Sequence, residues 1–297
     1  METIGFTAYK LLSRFVGRMS DTSLYRLSTF LKFILLNVIG YRKEVVIQNL
    51  KKCFPDKSNE DIHQLTHQYY QNLCDLILEA LAAHAWPLER VRSHIQFTNT
   101  EILNPFIEHN IKMLGLAAHM GNFELAAILI PKTIRAAIYA VYRPLANKKI
   151  DAGLSKQRSS TGLILVKPTQ LRKTMDSMPS PSILILVADQ NPSKIEKAVW
   201  VDFLNMETAF AQGPAELAMN YQLPIVYFDL KRISRGKYEC ECSVLVENAS
   251  LVTKNEIIKK YAEKISQSLV QRPDDWLWSH KRWKWRKVDD KVERTIY

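Results

Sequence analysis

The sequence contains little glycine, proline or cysteine. Its 297 residues include 9 Gly, 12 Pro and 4 Cys. Collagen-like, low-complexity and disulfide-stapled proteins need much larger shares of these residues, so those classes are excluded. Because 47% of the residues are hydrophobic, the chain can bury a substantial core. We expect an ordinary globular enzyme with one large or two small domains.

The cysteines Cys53, Cys74, Cys240 and Cys242 form no C-x-x-C pair, and none lies at zinc-binding spacing from the histidines. Cys240 and Cys242 would lie on the same face of one strand, where the geometry does not suit a disulfide. We therefore predict four reduced thiols and a body that faces the cytosol. Too few ligands surround any candidate base for metal catalysis, so no metal is predicted.

Long hydrophobic runs are also scarce. The most apolar stretch, residues 30–39, is interrupted by Lys32 and Asn37. It is shorter than the roughly 20 apolar residues that span a bilayer. A signal peptide is not expected either, because no unbroken apolar run with a small-residue cleavage site follows the first basic residues.

Positive charge is abundant, with 41 Lys and Arg against 30 Asp and Glu. Nucleic acid, anionic lipid and an acidic carrier protein all fit that sign. The first 52 residues hold nine of the cations and three of the acids, and their apolar residues recur at helical spacing. We predict that residues 1–52 form an amphipathic, basic, membrane-associating segment. A core helix with a solvated face is the alternative.

The carboxyl-terminal region interleaves Trp276, Trp278, Trp283 and Trp285 with histidine, lysine and arginine. Amphipathic rings and cations of this kind favour the headgroup zone of a membrane. The same composition also suits single-stranded nucleic acid. No nucleic-acid-binding motif accompanies it, so we expect an anionic membrane surface and not nucleic acid as the partner.

The chain from residue 53 reads as helix and then as alternating strands and helices. Ser58 and Asp61 form a potential capping box for a helix that continues to about Ala83. Short apolar runs that are typical of buried strands follow at 113–118, 137–142, 163–166, 183–188 and 225–230. Residues 238–246 are expected to pair antiparallel, and 254–270 to form a late helix. We predict a single α/β domain over residues 53–297, with a mainly parallel central sheet flanked by helices.

In such a sheet the ligand crevice lies beyond the carboxyl ends of the strands. Three predicted strands lead there into His119, Arg143 and Asp189. On a continuous helix His119 and Glu124 would point about 140° apart. If His119 ends a strand, Gly121 makes the turn and Asn122 caps the next helix, Glu124 can face the imidazole.

A carboxylate-oriented histidine is a suitable general base for a hydroxyl group. In the alternative interpretation, His119 is an ordinary strand-end histidine and Glu124 a helix-start acid favoured by the dipole. Motifs of other chemistries are absent from the sequence. It has no G-x-S-x-G elbow, no phosphate-binding P-loop and no G-x-G-x-x-G, which disfavours hydrolases, kinases and dinucleotide enzymes.

His119 and Glu124 together resemble the H-x4-D/E motif of glycerolipid acyltransferases, in the late lipid A acyltransferase (lauroyl/myristoyl transferase) branch. The resemblance extends over nearly the whole chain through Tyr41-Arg42, Asn49-Leu50, Phe54-Pro55, Tyr142-Arg143-Pro144, Asp189-Gln190, Gly213-Pro214-Ala215 and the segment 278–284. Two features depart from the family pattern. Phe123 stands where many members have Trp, and the amino-terminal anchor is less hydrophobic than a typical single span.

The resemblance implies transfer of a fatty acyl group from an acyl carrier protein thioester to a hydroxyl of a lipid A precursor, without a cofactor. His119 would be the base and Glu124 its orienting partner. Arg158 resembles the family's catalytic-site arginine, and Asp189 is a further site residue. The expected location is the cytoplasmic face of the inner membrane.

The remaining candidates are expected to bind substrate: Arg143, through acceptor phosphate, together with Asn122, Gln190 and Gly213. Physically, the arginines suit either a phosphate or the developing oxyanion of the thioester. The free N–H groups at Gly213 could hold an anion. Relatives use several acceptors, so another lysolipid or aminolipid is an alternative substrate, as is acyl-CoA as donor. A non-catalytic membrane- or nucleic-acid-binding protein is the alternative from another class.

Overall fold

The computed structural model describes residues 2–144, 147–288 and 291–295. The amino-terminal region is helical, and its elements are α1 (Glu2–Gly17), α2 (Asp21–Phe33), a π-helical turn (Ile34–Val38), α3 (Lys43–Cys53), α4 (Asn59–Ala83) and α5 (Leu88–His94). Ser58 accepts a hydrogen bond from the backbone of Asp61, whose carboxylate in turn accepts from the backbone of Ser58. This confirms the predicted capping box.

Eleven strands are assigned in the described residues. They are β1 (Ile95–Thr98), β2 (Lys112–Ala117), β3 (Ala137–Val141), β4 (Ile164–Val166), β5 (Ser182–Val187), β6 (Ala198–Phe203), β7 (Met206–Ala211), β8 (Ile225–Ser234), β9 (Lys237–Val246), β10 (Trp285–Val288) and β11 (Lys291–Arg294). Seven of them form the central sheet in the order β1-β9-β8-β2-β5-β3-β4. Only the β8–β9 pair in it is antiparallel, so the predicted mainly parallel sheet is confirmed.

Helices cover both faces of this sheet. They are α6 (Asn104–Glu108), α7 (Phe123–Leu129), α8 (Lys148–Ser159), α9 (Leu171–Ser177), α10 (Gly213–Asn220) and α11 (Lys254–Gln271). Residues of α1, α2 and α7 belong to the core on one face, and residues of α3, α10 and α11 belong to the core on the other. The long helix α4 contributes to both cores and joins the amino-terminal helices to the sheet. All four cysteines are buried and free, as predicted.

Two hairpins were not expected from the sequence, β6–β7 and β10–β11. The first turns at Leu204 and Asn205, which both have positive φ. Two-residue turns of this kind favour Asn-Gly or Asp-Gly, so a turn with leucine in the first position is not recognisable from the sequence.

The expectation that the carboxyl-terminal tryptophans contact a headgroup zone is wrong for three of them. Trp276, Trp278 and Trp283 are only 4%, 0% and 5% exposed. Their rings pack against one another, and Trp276 and Trp283 also contact Phe203. The segment folds back over the sheet because its aromatic rings complete the core on the α11 side. Trp285, in β10, is half-buried.

The first three elements combine a buried and an exposed apolar surface. Val16 and Leu24 are fully buried. Seven large apolar side chains are between 52% and 68% exposed: Leu11, Leu12, Phe15, Phe30, Phe33, Val38 and Ile39. Within the described residues, no helix has both the length and the apolarity that crossing a membrane requires.

Candidate active site

His119 and Asp189 meet because their strands are parallel neighbours. β2 and β5 pair in register with Ala117 opposite Val187, and the two polar residues follow at the same distance beyond that pair. His119 Nδ1 lies 2.6 Å from Asp189 Oδ1, and the backbone N–H of His119 donates to Oδ2 at 2.9 Å. Asp189 therefore orients the imidazole through one hydrogen bond and holds the backbone of His119 through the other.

Asp189 has a third hydrogen-bond donor, the indole Nε1 of Trp276 at 2.7 Å from Oδ2. Burial alone would raise the pKa of this carboxyl, but the charge of His119 and the hydrogen bonds hold the pKa of Asp189 well below its usual range. Burial likewise acts to lower the pKa of His119, and the Asp189 carboxylate outweighs it, so the pKa of His119 lies above its ordinary value of 6.5. The pair thus joins an imidazole of raised pKa to a carboxylate that is ionised at neutral pH.

Glu124 does not make the hydrogen bond to His119 that the sequence suggested. Asp189 already occupies Nδ1, and Glu124 instead pairs with Arg158. Arg158 Nε lies 2.9 Å from Glu124 Oε2, and Nη2 contacts Oε1. The first turn of α7 faces the last turn of α8, so the carboxylate meets a guanidinium on the neighbouring helix. Glu124 is therefore the residue that orients Arg158.

The turn between His119 and Glu124 forms as predicted. Gly121 has φ +51°, and a Cβ there would lie 2.8 Å from Leu230 Cγ. Only glycine fits both the backbone conformation and the space. The N–H of Gly121 donates to Asp275 Oδ1 at 3.1 Å, and the N–H of Arg232 donates to Oδ2 at 3.0 Å. Asp275 thus ties the turn to the end of β8.

Asn122 caps α7, as predicted, by accepting a hydrogen bond from the N–H of Leu125 at 3.1 Å. Its Nδ2 donates to Glu79 Oε2 at 2.8 Å, and the side chain is fully buried. Because both ends of the amide are engaged inside the protein, the expectation that Asn122 binds substrate is wrong. It holds the start of the helix that carries Glu124.

The other predicted residues come together in one cavity of about 890 Å³. Its walls include His119, Glu124, Arg143, Arg158, Gln190 and Gly213. Gln190 Nε2 lies 3.5 Å from His119 Nε2, which is the imidazole nitrogen that Asp189 does not use. Arg143 is exposed at the rim, and Gly213 begins α10.

Between α7 and the sheet the lining of the same cavity is apolar. It includes four alanines, Ala117, Ala126, Ala127 and Ala140, together with Ile185 and Phe228. Gly115 lies two residues before Ala117 on β2, and a Cβ at this position would lie 2.8 Å from Phe228 Cε2. A run of alanines between a helix and a sheet leaves a slot that suits an unbranched hydrocarbon chain.

Sequence reasoning missed several residues around the site. Trp276 and Asp275 are distant in sequence and come from a segment that was interpreted as membrane-facing. Tyr9 of α1 is another, since its hydroxyl lies 2.5 Å from His84 Nε2. Burial, together with the charge of Glu124, raises the pKa of Tyr9 to about 12. Helix α1 packs against α8, the helix that carries Arg158. No local spacing could reveal these contacts.

Nowhere in the described ranges do three or more His, Cys, Asp or Glu side chains converge on a potential metal position. The polar groups that line the cavity include the imidazole of His119, the guanidinium groups of Arg143 and Arg158, and the amide of Gln190. This set can move a proton and stabilise a developing negative charge.

Comparison with known proteins agrees with this chemistry. The chain is 23% identical over 272 residues to the lipid A biosynthesis lauroyltransferase of Escherichia coli (strain K12), which covers 89% of this chain and 86% of the relative. It is 20% identical over 256 residues to the lipid A biosynthesis palmitoleoyltransferase of the same strain, with 84% and 81% covered. A lipid A biosynthesis acyltransferase of Haemophilus influenzae (strain ATCC 51907 / DSM 11121 / KW20 / Rd) is 21% identical, with 86% and 81% covered. The profile of the bacterial lipid A biosynthesis acyltransferases matches residues 2–285, so this acyltransferase chain belongs to that family.

Proposed function

We propose that the protein transfers a fatty acyl chain from an acyl carrier protein thioester to a hydroxyl of a lipid A precursor, with His119 as the general base. The observation that carries the proposal is the hydrogen bond of 2.6 Å between His119 Nδ1 and Asp189, at a cavity that also contains Arg158. The relatives are named as lipid A acyltransferases, which supports the acceptor class.

The proton transfer follows from the hydrogen bonds of the imidazole. Asp189 is ionised and can only accept, so Nδ1 of His119 carries the hydrogen and Nε2 keeps its lone pair. Nε2 is the nitrogen nearer to Gln190, which lines the cavity. An acceptor hydroxyl placed there gives its proton to Nε2 as its oxygen attacks the thioester carbonyl.

Arg158 is suited to stabilise the oxygen that becomes negative during this attack. Glu124 engages Nε and Nη2, which fixes the plane of the guanidinium and leaves Nη1 for the substrate. A preoriented cation costs no reorganisation when the charge develops. Arg143, at the rim of the same cavity, is placed to meet a phosphate of the acceptor.

The step balances without an acyl-enzyme. The acceptor oxygen forms a C–O bond to the carbonyl carbon, and the tetrahedral intermediate then breaks its C–S bond. The thiolate takes the proton that His119 Nε2 received from the hydroxyl, which restores the neutral imidazole. The hydrocarbon chain lies in the alanine-lined slot beneath α7. No cofactor enters this scheme.

The amino-terminal helices support an association with the cytoplasmic face of the inner membrane. Their exposed apolar side chains alternate with cations, among them the exposed Lys10 and Arg14. Helices with these two features lie in the interface of anionic bilayers. We propose residues 1–52 as the membrane-associating segment and residues 53–297 as the acyltransferase domain.

The experiment that tests the function is product analysis by mass spectrometry. The purified protein is incubated in anionic vesicles with a mixed pool of acylated carrier proteins and a panel of acceptors, including lipid A precursors, lysophospholipids and aminolipids. The proposal predicts an acylated lipid A precursor. Acylation of another acceptor alone would replace the substrate, and the absence of any acylated product would contradict the proposed function.

A further inference from the structure

The excess positive charge of the chain is concentrated in two segments. Residues 131–178 contain ten Lys and Arg and two Asp, a net charge of +8. The first 52 residues carry +6, and the other 197 residues together carry −3. The amino-terminal cations accompany exposed apolar side chains and fit a membrane. The cations of 131–178 are therefore a second feature that the membrane association does not explain.

These cations surround the edge of the central sheet. β4 is the last strand of the sheet, α8 precedes it in the chain, and α9 follows it. Nine exposed cations lie on this edge and its flanks: Lys132, Arg135, Arg143, Lys148, Lys149, Lys156, Lys167, Arg172 and Lys173. We call these nine residues the edge surface.

Little acidic charge opposes the edge surface. Asp151 is partly buried in α8, and Asp176 accepts a hydrogen bond of 2.6 Å from the hydroxyl of Tyr221. Among the described residues, no carboxylate lies within ion-pair distance of Lys156, Lys167 or Lys173. Like charges collected on one side of a protein produce a positive potential of several kT, which attracts an acidic partner from solution.

The apolar content of the edge surface differs from that of the amino-terminal helices. In the described part of 131–178, Ile164 is the only large hydrophobic side chain that is substantially exposed. A membrane-binding surface needs apolar groups that enter the bilayer, as well as cations. A basic surface without them fits a water-soluble, acidic protein, whose charges steer the encounter and set its orientation.

The edge surface is continuous with the active-site cavity. Arg143 and Arg172 belong to both, and Pro168 and Thr169, which follow Lys167 directly, also line the cavity. Arg158, at the end of α8, and His119 line the same cavity. A partner that docks on this edge can thus insert a flexible arm toward Arg158 and His119.

We infer that the edge surface is the docking site for the acidic protein that carries the acyl thioester. This inference rests on the proposed function for the identity of the donor, and it adds where the donor binds. The acceptor lipid then approaches from the amino-terminal helices, so the two substrates arrive over different basic surfaces and meet at the cavity rim, where Arg143 lies.

The test is a charge-reversal triple variant, Lys156→Glu/Lys167→Glu/Lys173→Glu, none of whose positions lines the cavity. The matched control, Lys57→Glu/Lys259→Glu/Lys260→Glu, makes the same change in net charge at exposed lysines outside the edge surface. Initial rates are measured with an acylated carrier protein and with the neutral acyl-pantetheine thioester, which has no protein to dock.

We expect the triple variant to raise KM for the carrier thioester by about tenfold or more and to weaken its dependence on salt. The rate with acyl-pantetheine and the behaviour of the control should match the wild type. An unchanged KM for the carrier thioester overturns the inference, as does an equal loss with both donors. Loss of binding to anionic vesicles or to single-stranded DNA, with KM unchanged, assigns the edge surface to lipid or nucleic acid instead.

A direct binding measurement separates this inference from the proposed function. Fluorescence anisotropy of a labelled carrier protein reports docking whether or not acyl transfer occurs. If the carrier protein binds the wild type and not the triple variant, the docking site is supported, even if no product forms. In that case only the proposed function fails. No binding to the wild type contradicts the inference even if acyl-pantetheine is a substrate.

Discussion

Asp189 contacts His119 twice, through the imidazole Nδ1 at 2.6 Å and through the backbone N–H at 2.9 Å. The carboxylate therefore fixes both the ring and the strand end that carries it. Trp276 donates to the same carboxylate and brings in the carboxyl-terminal segment. The candidate general base is thus positioned by residues of β2, β5 and the chain after α11. The orientation of the His119 imidazole depends on the buried carboxylate of Asp189.

Replacing Asp189 should weaken this base. In Asp189→Asn the negative charge that raises the pKa of His119 is lost, while the shape is kept. We expect kcat to fall by a factor of about 10² to 10⁴, the range of a general-base contribution, with a small change in KM. Steady-state kinetics check this. A variant with wild-type kcat would show that Asp189 has no part in catalysis.

The pH dependence follows from the direction of the His119 shift. Only the neutral imidazole accepts a proton, and the pKa of His119 is raised above 6.5. The value of kcat/KM should therefore increase with pH through an apparent pKa above 6.5 and level off at higher pH. In Asp189→Asn the rise of the residual kcat/KM should occur at lower pH than in the wild type. An apparent pKa at or below 6.5 for the wild-type enzyme would contradict the assignment of His119 as a base strengthened by Asp189.

Glu124 should act on the reaction through Arg158. Glu124→Gln weakens the charged pair, and Arg158→Lys removes the planar fork that two parallel hydrogen bonds require. Each change should lower kcat/KM by about 10² to 10³ if the guanidinium stabilises the oxyanion. In an Arg158→Ala background, Glu124→Gln should have little further effect. Kinetics of the four enzymes in this cycle measure the coupling, and additive losses would indicate independent roles.

The slot beneath α7 should set the acyl chain length. Ala127→Phe places a ring among the alanines of that slot, so we expect the variant to prefer shorter chains from a mixed donor pool. Mass spectrometry of the products measures the distribution. The control is Ala152→Phe, at an exposed position of α8, which should leave the distribution unchanged. An unaltered product profile for Ala127→Phe would place the acyl chain elsewhere.

The turn after His119 should tolerate no side chain at Gly121. In Gly121→Ala, the positive φ and the approach to Leu230 should lower the free energy of unfolding by about 1–3 kcal/mol. Gly213→Ala is the matched control, because no atom lies within 4 Å of a Cβ there and φ is not positive. Urea denaturation compares the two variants. Equal stability would show that the turn has an alternative conformation.

The strand-end residues could be predicted from the sequence because strand order and register follow from local apolar runs. His119, Arg143 and Gln190 line the cavity at the edge where the predicted strands end, and Asp189 is buried behind His119. The partner of Glu124 could not be predicted, since it depends on how α8 packs against α7. For Asn122 the helix cap could be predicted because it is local. Its burial could not, because the amide is held by Glu79, which is distant in the sequence.

The carboxyl-terminal tryptophans were misinterpreted for a related reason. Composition alone does not distinguish a ring that enters a headgroup zone from one that completes a core. Trp276 differs from a lipid-facing residue in its burial and its contacts, which include a hydrogen bond to Asp189 and an isolated antiparallel backbone bridge to Met120. Both partners are more than 80 residues away, so no periodicity within the segment could indicate them.

The central claim is that His119 is the general base of acyl transfer. The most direct measurement is the initial rate from an acylated carrier protein to a lipid A precursor for His119→Ala, beside His63→Ala as an exposed histidine control. Circular dichroism verifies that both variants fold. The account predicts a loss of about 10² to 10⁴ in kcat for His119→Ala and wild-type activity for His63→Ala. A folded His119→Ala enzyme with wild-type kcat would contradict it.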